Sequence, residues 1–186
     1  MKIKSLSDYQ NAYAKCQNSP AEYWGDVAEN FSWHKRWDKV LSGNFHQVNM
    51  KFFEGAKLNI TENCLDRHLK LSGNKTAIIW EPNDPSQESI KLTYTELHAK
   101  VCQMSNALAK LDVKSGDRVV IYMSMIPDLL ISVLACARIG ATHSVVFGGF
   151  SSRALADRIN DSGAKLVITN NFGPRGNKST PLKEIV

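Results

Sequence analysis

Two stretches of the chain combine residue types suited to an anionic ligand: Phe147-Gly148-Gly149-Phe150-Ser151 and Pro174-Arg175-Gly176-Asn177-Lys178. The first leaves an apolar run, "ATHSVVF", passes two glycines and a serine, and enters the helical pattern "SRALADRINDS". The first N–H groups of a helix have no partner within it and carry its positive dipole end, so this junction has the chemistry of an anion site. In the second stretch Arg175 offers a bidentate grip on a phosphate and Lys178 a point charge, flanking the flexible pair Gly176 and Asn177. The same residues also fit a plain glycine turn beside a solvated basic loop, and their types alone leave both readings open.

The elements that hold these stretches are legible from residue 59 onward. "TENCLDRHLKLSG" is expected to form a helix capped by Thr61, with Cys64, Leu65, His68 and Leu69 at helical spacing and a stop at Gly73. A lone histidine on such a helix reads as structural. "KTAIIWE" and "IKLTY" read as the strands of a hairpin around the turn-rich "PNDPSQES". Thr93 and Glu96 form a capping box ahead of Leu97, Val101, Met104, Leu108 and Leu111 on one helical face. "DRVVIYM" then reads as a buried strand, followed by an apolar helix with Pro127 in its first turn and Gly140 at its end. The strand "ATHSVVF", the Ser151-capped helix closed by Gly163, and the strand "KLVITN" complete a β-α-β-α-β alternation.

Strands separated by single helices cannot pair as hairpins, so the fold class is α/β with a parallel sheet and right-handed crossovers. Ligands of such sheets collect outside the carboxyl ends of the strands, which singles out the loops "YMSMIP", "VFGGFSS" and "TNNFGPRGNKS". The first 58 residues differ in texture: Trp24, Trp33, Trp37, Phe45, Phe52 and Phe53 are spread among polar residues with no sustained strand pattern. Residues 1–58 therefore read as an irregular or helical wrapping segment whose aromatics dock on a neighbouring surface, with one helix opened by Ser19 and Pro20. Residues 59–186 read as the α/β part.

Composition narrows the partners. Of 186 residues 43% are hydrophobic and 22% charged, which fits a soluble globular chain, and the net charge of +5 suits a polyanionic or phosphorylated ligand. The basic residues are scattered without interleaved aromatics, which argues against nucleic acid. "IPDLLISVLACARIG" has roughly half to two-thirds of a membrane span's length and carries Asp128 and Arg138, so it reads as a buried helix, with no membrane partner. Cys16, Cys64, Cys102 and Cys136 lie far apart and read as buried, reduced thiols of a cytoplasmic protein; no zinc-type spacing and no metal cluster is present in the sequence pattern. No GxxxxGK[ST], GxGxxG after a strand, or GxSxG occurs, so no catalytic residue is assigned within the chain.

Against that background, "KLNITENCLDRHL", "NKTAIIWE", "LTYTELHAKVCQMSNALAKLDVKSGDRVVIYMSMIP", "LACARIGATHSVVFGGFSSRALADRI" and "AKLVITNNFGPRGNKSTPLK" together resemble the adenylate-forming enzymes, specifically the AMP-forming acetyl-coenzyme A synthetases. The resemblance is collinear over nearly the whole chain, including "EYWGDVAENFSWHKRW". It implies that residues 1–58 are the N-terminal extension of such an enzyme and residues 59–186 the first, incomplete part of its large AMP-binding domain. It also implies that Phe147, Gly148 and Gly149 flank the adenine end of coenzyme A, and that Arg175, Gly176, Asn177 and Lys178 hold its 3′-phosphate.

The chain departs from the family at Asn177, where a second glycine is usual; asparagine tolerates positive φ, which preserves the turn but not the closest backbone contact. The implied reaction joins acetate, MgATP and coenzyme A through acetyl adenylate. The phosphate loop, the lysine of the mobile C-terminal domain and the acyl-pocket tryptophan are expected beyond Val186, and the chain alone is expected to be inactive. Two further readings stay open: a propionate or other short-chain acyl-CoA ligase, and a truncated non-catalytic module binding a nucleotide or partner.

Overall fold

Alternating cores on either side of one strand explain most of the architecture. The computed structural model describes residues 3–175 and 178–186, with Arg175 described in its backbone only. It divides into two compact units, Met1–Asn59 and Ile60–Val186. Among the described residues no helix is long and apolar enough to cross a membrane.

In the first unit, α1 (Leu6–Asn18) opens with a capping box in which the Ser5 hydroxyl accepts from Asp8 N at 3.1 Å and the Asp8 carboxylate accepts from Ser5 N at 3.0 Å. Lys15 then joins it to α2 (Pro20–Ala28) through Glu22 at 3.0 Å and Asp26 at 2.7 Å. Ser19 stands at the N-cap of α2 but makes no side-chain capping bond there; Pro20 at the first helical position sets the start. Strands β1 (Lys39–Ser42) and β2 (Lys51–Glu54) form an antiparallel hairpin that the sequence pattern did not announce.

Three of the aromatics expected to dock on a neighbouring surface pack on one another. The Trp33, Trp37 and Phe53 rings lie 5.2–5.4 Å apart, and the Trp33 indole donates to the Ala28 carbonyl at 2.9 Å. Phe53 adopts a left-handed backbone (φ 50°) within β2. Such strain costs on the order of 1–2 kcal/mol for a side-chain-bearing residue, and two ring contacts at roughly 0.5–1.5 kcal/mol each offset it.

The second unit begins with a π-helical turn (Glu62–Asp66) that continues into α3 (Arg67–Ser72). Thr61 does not cap it: its backbone is helical, and its fully buried hydroxyl accepts from Arg138 at 3.4 Å. Strands β3 (Thr76–Trp80) and β4 (Ile90–Thr93) pair antiparallel, and β4 runs directly into the capping box of α4 (Tyr94–Lys110). Leu97, Val101 and Leu108 of α4 are buried, whereas Leu111 lies beyond the helix end and is exposed.

Strands β5 (Arg118–Met123), β6 (Thr142–Phe147) and β7 (Leu166–Thr169) form a parallel sheet in the order β6-β5-β7. Successive side chains of β5 point to opposite faces. Val119, Ile121 and Met123 face α4 and α5 (Pro127–Ile139), while Val120 and Tyr122 face α6 (Ser152–Ser162) and α7 (Leu182–Ile185). Burial on both faces is why "VVIYM" reads as a near-continuous apolar run after the exposed Arg118. Between β7 and α7 lies a small antiparallel hairpin, β8 (Gly173–Arg175) with β9 (Lys178–Thr180).

The four thiols differ in setting. Cys136 is fully buried, and burial pushes its thiol up to about 11, whereas Cys16 and Cys102 are half-buried and Cys64 is exposed. The expectation of four buried thiols thus fails at Cys64, because the π-helical turn directs Asn63 and Leu65 inward and leaves the residue between them outside.

Candidate functional site

The crossovers determine where a cleft opens. From β5 the chain leaves to α5 on one face, and from the adjacent β6 it leaves to α6 on the other. Neighbouring strands whose exits part in this way create a crevice at their carboxyl ends. A cavity of about 280 Å³ occupies it, lined by Met123–Ile126 after β5, Phe147–Gly149 after β6, Gly173, Pro174 and Thr180 of the hairpin, and Trp80 from β3.

Both stretches singled out by residue type reach this cavity, the second through Pro174 alone among its described residues. Phe147, Gly148 and Gly149 line the cavity directly, and Phe147 is 62% exposed. Its ring meets Phe150 edge-on at 6.1 Å, and the Arg158 guanidinium lies over the Phe150 ring at 4.5 Å. The helix end beyond is capped by its own serine, since Ser151 Oγ accepts from Ala154 N at 3.4 Å.

On the hairpin, the strand bases line the same cavity, with the Arg175 backbone in β8 and Gly176 and Asn177 outside the described residues. Lys178 is exposed on β9 and faces an adjoining depression with Asp84, Phe172 and Ser179; Asn83 and Pro174 border both spaces. Leu182, 1% exposed, spaces the two halves: a Cβ built at Gly148 would lie 3.5 Å from its methyls, and one at Gly173 3.0 Å from Cδ1.

Three hydrogen-bonding side chains that residue type alone did not mark hold this rim. The Tyr122 hydroxyl, on a residue with no exposed surface, donates to the Phe150 carbonyl at 2.8 Å, and the Gly148 carbonyl lies 3.4 Å away. Burial raises the Tyr122 phenol above its ordinary value, which keeps it a donor. Asn170 joins the exits of β5 and β7: its amide donates to Ser124 Oγ at 2.8 Å and to the Phe172 carbonyl, while its oxygen accepts from Ser124 N at 3.2 Å. The Trp80 indole donates to the Met125 carbonyl at 2.7 Å. Trp80, Tyr122 and Asn170 thus tie β3, the β6 exit and the β7 exit to β5 or its exit loop, which is the fixed reference of the cavity.

His68, a possible catalytic group by type alone, lies away from this cleft, with Nε2 at 3.1 Å from the Asn63 carbonyl and its ring 5.3 Å from Tyr94. Among the described residues no group of three or more histidines, cysteines or acidic side chains is placed to hold a metal ion.

An open parallel sheet with helices on both faces and a crevice at the carboxyl ends of its strands defines the chain's second unit as an α/β domain. Residues 65–185 match the family model of the AMP-binding enzyme, and residues 9–64 match that of the acetyl-coenzyme A synthetase N-terminus. The chain belongs to the AMP-binding enzyme family. Over 177 residues it is 48% identical to the acetyl-coenzyme A synthetase of Xylella fastidiosa (strain 9a5c), covering 94% of this chain and 27% of that protein. It is 49% identical to the acetyl-coenzyme A synthetase of Bdellovibrio bacteriovorus, covering 95% and 27%. The chain thus spans about a quarter of the length of these curated relatives. The acetoacetyl-CoA synthetase of Streptomyces lividans shares the fold with a TM-score of 0.85 at 23% identity, over 92% of this chain and 26% of that structure.

Proposed function

We propose that the chain supplies the coenzyme A-facing wall of an AMP-forming acetate–CoA ligase. In the whole enzyme, an acetate oxygen attacks the α-phosphorus of MgATP and pyrophosphate leaves. The thiolate of coenzyme A then attacks the acetyl carbonyl, AMP leaves, and the thiol proton passes to solvent or a base. In this reading residues 1–58 are the enzyme's N-terminal extension and residues 59–186 the beginning of its large domain. Their partners are the rest of that domain and the mobile C-terminal domain, and the setting is cytoplasmic.

The observation that carries the reading is the shared rim. An exposed aromatic, Phe147, and the two glycines after it border the same cavity as the base of the Arg175–Lys178 hairpin. In this reading the flat heteroaromatic end of the ligand meets the apolar wall at Phe147, and the phosphate on its sugar is met by the charges that Arg175 and Lys178 bring to the hairpin. The residues present fit coenzyme A on these grounds: ring stacking on phenylalanine, backbone approach at glycine, and charge from Arg175 and Lys178.

The test separates the half-reactions. In the full-length enzyme Arg175→Ala is expected to weaken coenzyme A binding by about 1.5–3 kcal/mol, the range for a charged hydrogen bond. Acetate-dependent exchange of pyrophosphate into ATP, which needs no coenzyme A, is expected to stay within about twofold of wild type, a difference of some 0.4 kcal/mol. Collapse of that exchange would move Arg175 to the adenylation step and defeat the assignment. Steady-state rates with acetate, propionate and butyrate test the acyl substrate, and a preference for propionate would overturn acetate.

A further inference from the structure

We propose that Tyr122 is a positioning residue for the glycine turn: its buried hydroxyl fixes the backbone of Gly148–Phe150, and thereby the wall that coenzyme A meets. This inference rests on the functional reading above and adds a residue to it.

The geometry is specific. Tyr122 lies on the central strand, and its ring fills the core between the sheet and α6 with Val120, Val146 and Leu155. Its hydroxyl emerges beneath the turn, donating to Phe150 O at 2.8 Å with Gly148 O at 3.4 Å. Those two carbonyls bracket Gly149, and a turn containing two adjacent glycines has more backbone freedom to lose than any other dipeptide. The turn's own restraint is a Phe150 N–H to Phe147 O bond at 3.0 Å. A phenol anchored in the core thus ties a permissive loop to the most buried strand, at a distance of 26–28 residues in sequence. A phenylalanine would fill the same volume, so the apolar role of the ring does not account for the hydroxyl.

Tyr122→Phe in the full-length enzyme is the experiment. The KM for coenzyme A is expected to rise roughly 2–12-fold, as loss of one ordinary hydrogen bond permits. Acetate-dependent pyrophosphate exchange is expected to remain unchanged, and amide exchange of the 147–152 segment to accelerate while β5 and β7 stay protected. An unchanged KM in a folded Tyr122→Phe enzyme, or an equal fall in both half-reactions, would overturn the proposal.

If the variant does not fold, wild-type amide exchange decides instead. Segment 147–152 exchanging as slowly as β6 supports the tie, and exchange as fast as the exposed 82–88 loop overturns it. An enzyme that shows no dependence on coenzyme A would defeat the functional reading, whereas the amide exchange would still settle the role of Tyr122.

Discussion

At the scale of single residues, Asp66 shows how one carboxylate joins three elements. Arg138 at the end of α5 grips it bidentately, with both N–O distances 2.8 Å, and His98 of α4 lies 3.3 Å away. The Arg138 hydrogen bonds, and His98 to a smaller degree, hold the Asp66 carboxyl below its ordinary value. A group whose folded value is depressed contributes stability above its unfolded value, about 3.9 for aspartate, and loses it as pH falls through the folded value. Asp66→Asn is therefore expected to cost about 1–3 kcal/mol at pH 7, with the gap to wild type narrowing as pH drops below about 4. Thermal melts at pH 7, 5 and 3 check this, and a gap of constant size would refute it. None of this was legible in the sequence, because the partners lie 72 residues apart. Tyr122 was hidden for another reason: after Arg118 the strand is buried on both faces and reads as a near-continuous run of bulky residues, so no alternation reveals which face a residue takes.

Among the elements, the helix starts carry unequal weight. Thr93 Oγ1 accepts from Glu96 N at 3.2 Å, and the Glu96 carboxylate accepts from Thr93 N and from the Thr93 hydroxyl, both at 2.8 Å. Ser151 makes one long bond, at 3.4 Å, with no reciprocal acid. Thr93→Ala is expected to cost about 1–2 kcal/mol and Ser151→Ala no more than about 0.5 kcal/mol. Urea titrations of the two variants measure the difference, and equal losses would show that reciprocal capping adds nothing here. These starts were readable because a cap is local chemistry, fixed by residues three apart. The same held for the β-α-β-α-β order. The β1–β2 hairpin was not readable: its strands have four residues each, and the left-handed Phe53 breaks the alternation that would mark β2. Thr61 likewise looked like a cap by type, yet the turn it opens has helical geometry on both sides and its hydroxyl serves Arg138.

For the molecule as a whole, the sheet order leaves β6 paired on one side only among the described residues. Val145, midway along that edge, is 49% exposed, and Phe147 at its end 62%. The run Ser144–Phe147 is uncharged, β-prone and free of proline, the composition of an edge that recruits another strand. Nearby, Ile79, Leu130 and Met125 add exposed apolar surface around a shallow groove that also includes Val145. The chain is therefore expected to self-associate as its concentration rises, through this edge. Val145→Lys places a charge on a half-exposed position, where it disfavours strand addition without entering the core. Sedimentation velocity across a concentration series is expected to show wild-type chain growing in size while Val145→Lys stays monomeric, with the melting temperature of the two within a few degrees, as for a surface substitution. Association of Val145→Lys equal to wild type would place the contact elsewhere, and a large fall in its melting temperature would show that Val145 supports the core rather than the edge.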